Sequence, residues 1–338
     1  MTHLLETQGL TIGYAAPRRE TVVVARDLQL HLAAGEMVCL IGPNGAGKST
    51  LMRTLAGMQK PLAGRVLLAN TQLHDLLPVE RAKRLGIVLT ERPNVGLLSG
   101  YALVALGRHP YSDWTGRLSR HDESVIRWAV DAVGASDLAE RPVMELSDGQ
   151  RQKLMIARAL AQEPDLILLD EPTAFLDLPR RVEIMQLLKR LTRETGRSVL
   201  LSTHELDLAL RTADSIWLMS GGQIHTGTPE DLVLSGTFET AFRSEGIHFD
   251  RESGAFSGHQ PAGILVAVSG EGIAHTWTCR ALERAGYTLA HNGATPSACI
   301  TLHEDDHQST WTLTADGTET TCTTIHDLLQ ALRHLEDQ

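Results

Sequence analysis

The most constraining feature of this chain is a glycine-rich stretch that follows a short apolar run. Residues 37–41 are apolar, and the chain continues Gly42-Pro43-Asn44-Gly45-Ala46-Gly47-Lys48-Ser49-Thr50. This is the Gly-x-x-x-x-Gly-Lys-Ser/Thr phosphate-binding loop, in which glycines allow backbone N–H groups to surround a chain of phosphates. The motif requires a strand before it and a helix after it, and the stretch from Ser49 to Gly57 predicts that helix. The sequence therefore predicts a nucleotide-phosphate site in an α/β fold.

The loop assigns chemistry to individual side chains. Lys48 supplies a positive charge for the β- and γ-phosphates, and the hydroxyl of Ser49 is placed to complete the ligand shell of Mg²⁺. We predict phosphate or nucleotide contacts from the following loop residues: Gly42, Asn44, Gly45, Gly47, Lys48, Ser49 and Thr50.

A second motif places two carboxylates at the end of a buried strand. Residues 166–169 are Leu-Ile-Leu-Leu, and Asp170 and Glu171 follow directly. A continuous apolar run predicts a strand buried on both faces, and ligands of open α/β sheets bind at the carboxyl ends of such strands. We therefore predict that Asp170 holds Mg²⁺, directly or through water, and that Glu171 acts as general base on an attacking water. The alternative is that both carboxylates cap the turn that follows them, where Pro172 is the next residue.

A third motif, Leu146-Ser147-Asp148-Gly149-Gln150, begins an amphipathic helix that is predicted to run from Gln150 to Ala161. Ser147 is a favourable N-cap, and Gly149 permits close approach of another backbone. A helix start with free N–H groups, a hydroxyl and a glycine predicts a phosphate-binding surface. Its predicted members are Ser147, Gly149 and Gln150.

These three motifs, in this order, resemble those of the ATP-binding subunits of ABC transporters. The resemblance implies an α/β P-loop ATPase fold with a β-subdomain and a helical subdomain near residues 92–146. It also implies that ATP and Mg²⁺ are the cofactors and that a head-to-tail homodimer encloses two ATP molecules, with the signature of one subunit over the phosphates of the other. One residue departs from the family pattern, because Asp148 stands where the signature usually has Gly and adds negative charge near a phosphate.

The resemblance assigns roles to four further residues. Tyr14 is expected to stack on adenine, although an ordinary β-sheet tyrosine would fit the same pattern. His204 is expected to contact the γ-phosphate. Asp177 is expected at the dimer interface, and it also fits an N-cap for the following helix. Glu91 stands where the family has a Gln that senses Mg²⁺, and we expect its carboxylate to tighten the dependence on Mg²⁺.

The net charge and the lengths of the apolar stretches indicate where the protein is located and which partners it does not bind. The 338 residues have a formal net charge of −10, and no apolar stretch approaches the ~18 residues of a membrane span. The first residues lack the basic and apolar regions of a signal peptide. We therefore expect a soluble, cytoplasmic protein and no binding of nucleic acid. The resemblance to transporter subunits implies that it lies peripherally at the cytoplasmic face of the membrane. The cysteines show no metal-type spacing and predict no disulfide framework.

The C-terminal part of the chain predicts a second domain. Residues 1–250 are expected to form the ATP-binding domain, residues 251–262 a linker, and residues 263–338 a small acidic α/β extension of unknown role. Residues 251–338 contain 11 acidic residues, four arginines and no lysine. His303 and His307 flank a run of acids, which fits a solvated acidic loop or a metal or ligand sensor. A regulatory or dimer-stabilising role for this extension is a hypothesis.

One further segment indicates to which branch of the family the chain is most similar. Residues 104–111, which include Leu106-Gly107-Arg108 and Pro110, resemble a segment of the importers of iron-siderophores, haem and cobalamin, where the segment faces a partner. The resemblance implies an ATPase that powers import through an integral membrane permease present in two copies, with a substrate-binding protein acting indirectly. The alternatives are a soluble ABC-type ATPase without a membrane partner and a regulatory nucleotide-binding module without turnover.

Overall fold

The computed structural model of the chain describes residues 3–15, 21–90, 97–113, 115–243, 247–250, 255–258, 263–290, 295–305, 308–315 and 317–336. The chain divides into two units. The first comprises Met1–Arg243 and Phe249–Phe256, and the second comprises Ser244–His248 and Ser257–Gln338. The predicted linker at 251–262 includes residues 255–258, which form a strand, so part of that segment has regular structure.

The strands and helices of the first unit follow one another along the chain as β1 (His3–Tyr14), β2 (Val22–Leu28), β3 (His31–Ala33), β4 (Met37–Ile41), α1 (Lys48–Leu55), β5 (Ala63–Leu68), β6 (Thr71–Gln72), α2 (Pro78–Arg84), β7 (Leu85–Val88), α3 (Gly100–Ala105), α4 (Arg120–Ala132), α5 (Asp148–Leu160), β8 (Leu166–Asp170), α6 (Leu178–Thr195), β9 (Ser198–Ser202), α7 (Leu206–Thr212), β10 (Ser215–Ser220), β11 (Gln223–Gly227), α8 (Pro229–Leu234) and α9 (Thr237–Phe242). Short 3₁₀ helices lie at Leu106–Tyr111, Ser136–Leu138 and Val143–Glu145. β12 (Ile247–Asp250) and β13 (Ala255–Gly258) then pair with each other.

The central sheet positions the phosphate loop. Its strand order is β11-β10-β4-β9-β8-β7, and β10, β4, β9, β8 and β7 are mutually parallel while β11 is antiparallel to β10. Alternate residues of β4 enter two different cores, with Cys39 and Ile41 in one and Val38 and Leu40 in the other. A strand of this kind must be apolar throughout, because both of its faces are covered. The predicted mostly parallel α/β sheet is confirmed.

A second, antiparallel sheet has the order β2-β1-β5-β6, with β3 also paired to β1. The sequence from Val22 to Leu32 predicts one β-like run, and the structure divides it into β2 and β3. Asp27, inside β2, has a positive φ of 51° where the pairing of β1 with β2 shifts register, and β2 ends one residue later. β2 consequently pairs with residues 10–14 of β1 and β3 with residues 3–6.

The described residues between 97 and 146 form helices and turns, apart from one isolated bridge between Ser99 and Pro142. The segment around Arg108 was expected to face a partner, which stays a prediction, but the arginine itself is not on the surface. Its side chain is only 1% exposed, and its guanidinium donates to Asp122 (2.8 Å), to Glu163 (2.7 Å) and to the carbonyl oxygen of Ala161 (2.8 Å). The planar guanidinium can be buried because its N–H groups donate to acceptors on α4 and just beyond the end of α5, and these bonds join the 3₁₀ helix to both helices.

The pKa of Asp122 shows that its negative charge stabilises the contacts it makes with Ser119 and Arg108. Burial raises the pKa of Asp122, but hydrogen bonds from Ser119 and from Arg108 outweigh it and lower the pKa to about 2. Since the ordinary value is 3.8, the corresponding stability is complete above that pH and is lost as the pH falls through about 2. Asp122 also completes a capping box with Ser119 at the start of α4.

The second unit contains β14 (Leu265–Ser269), α10 (Gly272–Ala285), β15 (Thr288–Leu289), β16 (Ala298–Asp305), β17 (Gln308–Ala315), β18 (Thr318–Cys322) and α11 (Ile325–Glu336). Its sheet has the order β15-β14-β16-β17-β18, parallel from β15 to β16 and antiparallel beyond. The indole N–H of Trp311 donates to the hydroxyl of Thr278 at 2.7 Å and so attaches α10 to the sheet. The predicted small α/β extension is confirmed; β15 and β18 were not predicted, because one is very short and the other is mostly exposed threonine.

Replacement of Asp122 by Asn should destabilise the protein, because it leaves the buried Arg108 guanidinium with one anionic partner fewer. We expect the free energy of unfolding to fall by about 2 kcal/mol in urea titrations followed by circular dichroism. Glu123→Gln is the matched control, since Glu123 forms an exposed pair with Arg127 on the same helix (2.9 Å). Its loss should stay below about 1 kcal/mol, and equal losses for both variants would contradict the structural role of the buried pair.

Candidate nucleotide site

The side chain of Lys48 folds back over the phosphate loop. Its Nζ donates to the carbonyl oxygens of Gly42 (2.8 Å) and Pro43 (3.1 Å), and the residue is almost completely buried. Burial lowers the pKa of Lys48, whereas the nearby carboxylates of Glu171 and Asp170 raise it. The two acidic residues predicted from a distant motif are thus electrostatic neighbours of the loop lysine.

The glycines of the loop have distinct tasks. A Cβ at Gly42 would lie 2.1 Å from the backbone oxygen of Met219, and one at Gly47 would lie 2.1 Å from Cγ1 of Val24. Gly45, with a φ of +77°, faces open space, because no described atom lies within 4 Å of a Cβ added there. The loop is therefore pressed against the protein on one side and open on the other, which is the cradle that a phosphate chain needs.

Asp170 and Glu171 lie at the end of β8, where the neighbouring strand β9 holds them. The hydroxyl of Ser202 donates to Oδ1 of Asp170 at 2.6 Å, and the hydroxyl of Thr90 donates to its carbonyl oxygen at 2.7 Å. The N–H of Glu171 contacts both oxygens of Ser202, at 3.0 Å to the hydroxyl and 3.2 Å to the carbonyl. Glu171 has a φ of +50°, an uncommon value for a residue other than glycine.

The predicted base and the predicted histidine meet in the structure. Nε2 of His204 lies 2.7 Å from Oε1 of Glu171, and both side chains are partly exposed. The contact arises because β8 and β9 are adjacent and parallel, with Asp170 opposite Ser202, so that the residues after each strand lie side by side. The carboxylate of Glu171 thus pairs with a histidine, in contrast to the alternative in which it caps the turn that follows.

The motif at 146–150 forms the start of α5 as predicted. The hydroxyl of Ser147 accepts from the N–H of Gln150 (3.3 Å), and Oε1 of Gln150 accepts from the N–H of Ser147 (3.0 Å), which is a capping box. Asp148 lies in the first turn, 3.6 Å from Arg151. Between described residues, no hydrogen bond or ion pair joins Ser147, Gly149 or Gln150 to the phosphate loop of the same chain.

The remaining predicted residues are distributed around the loop. The hydroxyl of Tyr14, at the end of β1, bonds to the hydroxyl of Thr50 at 2.5 Å, and 47% of the tyrosine is exposed. Oδ1 of Asp177 accepts from the N–H of Arg180 at 3.1 Å, so the predicted N-cap of α6 is confirmed. Asn44 is exposed and Ser49 is half-buried. Glu91 lies outside the described residues.

Two residues of the site were not predicted. Ser202 and Thr90 hold Asp170 from either side, and the sequence signal for them was only that each is a hydroxyl residue at or just beyond the end of a strand. Among the described residues no group of three metal-ligating side chains occurs. The suggested metal or ligand sensor stays a prediction, because the side chains of the acidic residues that follow His303 lie outside the described part of the chain. His307 lies outside that part.

Comparison with known proteins identifies the family. Residues 25–174 match the family model described as ABC transporter, and residues 263–333 match the model described as Iron ABC transporter C-terminal domain. The chain is 44% identical over 231 residues to an uncharacterized ABC transporter ATP-binding protein of Methanocaldococcus jannaschii, covering 68% of this chain and 78% of that protein.

Relatives with assigned cargo are similar over much of the chain. The iron(3+)-hydroxamate import ATP-binding protein FhuC of Bacillus subtilis is 38% identical over 240 residues, covering 71% of this chain and 87% of FhuC. The cobalamin import ATP-binding protein BtuD of Halobacterium salinarum is 32% identical over 295 residues, covering 85% of this chain and 72% of BtuD.

Solved structures show the same fold. A chain of a metal-chelate type ABC transporter in an inward-facing conformation has a TM-score of 0.62 at 27% identity, covering 76% of this chain and 96% of the other. A dimeric bacterial ABC transporter cassette has a TM-score of 0.58 at 29% identity, covering 67% and 98%. The chain therefore belongs to the ATP-binding proteins of ABC transporters. Within them it is an ATPase of the iron-siderophore and cobalamin import branch, whose hydrolysis of ATP is coupled to transport.

None of the helices in the described part of the chain combines the length and the apolar character that a membrane span requires.

Substitution of Gly42 by Ala should disrupt the loop, since the backbone oxygen of Met219 cannot yield to the added methyl group. We expect a loss of about 3 kcal/mol in the free energy of unfolding and at least tenfold weaker binding of a fluorescent ATP analogue. Gly116→Ala is the control, because Gly116 also has a positive φ (+68°) but has no described atom near its Cβ position. It should cost about 1 kcal/mol and leave nucleotide affinity unchanged. Unchanged nucleotide binding by the Gly42 variant would contradict the cradle described above.

Proposed function

We propose that this ATPase powers the import of an iron complex (a siderophore or haem) or of cobalamin through a membrane permease. The observation that carries the proposal is the match of residues 263–333 to the iron ABC transporter C-terminal domain. FhuC and BtuD, whose names assign them to hydroxamate-iron and cobalamin import, support the same cargo classes. The two units of the structure are then the ATP-binding domain and its C-terminal extension.

Glu171 acts as the general base in this proposal. Its carboxylate accepts the proton of the attacking water, and Nε2 of His204, at 2.7 Å, orients that carboxylate. We also propose that His204 contacts the γ-phosphate once the nucleotide is bound. Lys48 stabilises the charge that develops on that phosphate, and its partners in the structure are neutral carbonyls that a phosphate oxygen can replace.

The oxygen ligands available beside the loop fit a magnesium ion. The hydroxyl of Ser49 and the carboxylate of Asp170 are hard oxygen donors of the kind that Mg²⁺ prefers, and the hydroxyl of Ser202 already fixes one oxygen of Asp170. When bound, Mg²⁺ supplies charge neutralisation at the phosphates. We propose Ser49, Asp170 and Glu91 as the residues that hold it, directly or through water.

In this proposal a second copy of the chain completes the nucleotide-binding site. Among the described residues of one chain, Ser147, Gly149 and Gln150 have no hydrogen bond to the phosphate loop, as expected if they contact the γ-phosphate of the partner's nucleotide. Asp177, at the N-cap of α6, is the proposed interface aspartate. The half-exposed ring of Tyr14 is the proposed platform for adenine, and its hydroxyl bond to Thr50 keeps the ring beside the loop.

We propose a groove of about 400 Å³ on the first unit as the contact with the permease. It is bounded by α2, β7 and the 3₁₀ helix at Leu106–Tyr111. Met58 and Leu106 expose apolar surface at this groove, while Arg81 and Arg158 add positive charge. A dimer would present two such grooves to two copies of the permease. We propose that the protein acts there, at the cytoplasmic face of the membrane.

Replacement of Glu171 by Gln should lower the kcat of ATP hydrolysis by about 10²–10⁴-fold, because the amide cannot accept a proton. ATP binding should persist, and the variant should remain dimeric in ATP by size-exclusion chromatography. Glu194→Gln, which removes an exposed carboxylate from α6, should keep the wild-type rate. A monomeric and fully active Glu171 variant would contradict the mechanism.

Uptake by whole cells tests the cargo. Cells that depend on this chain should accumulate radiolabelled iron-siderophore, haem or cobalamin with the wild-type protein and fail to do so with the Glu171→Gln variant. Uptake of an unrelated amino acid is the control and should be equal in both strains. If neither an iron complex nor cobalamin distinguishes the strains, the proposed cargo is wrong, although the ATPase assignment stands.

A further inference from the structure

The C-terminal unit concentrates positive charge in one groove. Residues 263–338 contain ten acidic residues, three arginines and no lysine. Two of these arginines, Arg280 and Arg284, line a groove of about 310 Å³ between α10 and α11, together with Trp277 and His326. Among the described residues no carboxylate lines this groove. The local charge is therefore opposite in sign to that of the unit as a whole.

The two arginines act together because of their spacing. Residues four apart on a helix lie on the same face, so Arg280 and Arg284 present their guanidinium groups one turn apart. The ion pairs found between described residues include neither of them. Each guanidinium consequently keeps donors for the oxygens of a carboxylate or a phosphate, which it binds best in a bidentate way.

Trp277 supplies a flat apolar surface at the same place. The residue is 57% exposed, and the guanidinium of Arg280 lies over its ring, 5.1 Å from the ring centroid. This cation–π contact holds the arginine head at the groove, which reduces the conformational freedom lost when a ligand binds. Ile325 and Leu329 of α11 add further apolar surface.

We infer that this groove binds a small anion that carries a planar conjugated group, such as an aromatic carboxylate. The guanidinium groups of Arg280 and Arg284 take the anionic oxygens, and the indole of Trp277 contacts the planar group. The volume lies within the range of about 300–1,000 Å³ that is typical of small-molecule sites. The inference does not depend on the cargo of the transporter or on ATP hydrolysis.

Fluorescence titration of the full-length, nucleotide-free protein tests this site. Isophthalate, which combines a ring with two carboxylates, should quench tryptophan fluorescence saturably with a Kd of about 1 mM or tighter. Citrate, which lacks a ring, and benzamide, which lacks the charge, should each bind at least several-fold more weakly. Trp277→Phe should remove most of the quenching, although the other tryptophans remain.

Three Arg→Gln variants, which each remove one positive charge, distinguish binding in the groove from non-specific electrostatic attraction of the anion to the protein. Arg280→Gln and Arg284→Gln should each weaken isophthalate binding about tenfold, while Arg333→Gln should change it less than about twofold. Arg333 is the third arginine of the unit and an exposed residue of α11, but it does not line the groove. Thermal unfolding should be the same for all three variants, because each position is exposed. Absence of saturable binding, equal binding of citrate, or an equal loss in the Arg333 variant would overturn the inference.

Discussion

The parallel pairing of β8 with β9 is the constraint on which the nucleotide site depends. Its register sets Asp170 opposite Ser202, and the residues just beyond these positions then bring Glu171 to His204. Both strands are buried on both faces apart from the last residue of β8, and a slip of one residue would turn every side chain to the opposite face. The geometry of the catalytic groups is therefore stabilised by the hydrophobic core beneath them.

Buried positive charge serves two different purposes in the first unit. Arg108 is surrounded by the carboxylates of Asp122 and Glu163, so its charge is neutralised within the protein and its role is structural. Lys48 is also buried, but its hydrogen-bond partners are backbone carbonyls and its pKa is lowered by burial. Its charge remains available to an anionic ligand, because phosphate oxygens are stronger acceptors for an ammonium group than carbonyls are.

The sequence predicted those parts of the site whose structure depends only on residues that are neighbours in the chain. The phosphate loop, the buried strand before Asp170 and the N-caps at Ser147 and Asp177 each follow from a few neighbouring residues, and the structure confirms these elements. The division of the run from Val22 to Leu32 was missed because it depends on which part of β1 each half pairs with. A sequence shows the β-propensity of such a run but not its partner.

The sequence by itself determined the class of chemistry and the family, since a loop that binds phosphates needs glycine, lysine and hydroxyl residues at fixed spacing along one short stretch. Only the tertiary structure decided that Arg108 is buried in a structural cluster, that Ser202 holds Asp170, and that Trp277 shares a groove with α11. These relations join residues far apart in the chain. They are fixed by strand register and helix packing, which follow from the burial of the whole core and not from any short segment.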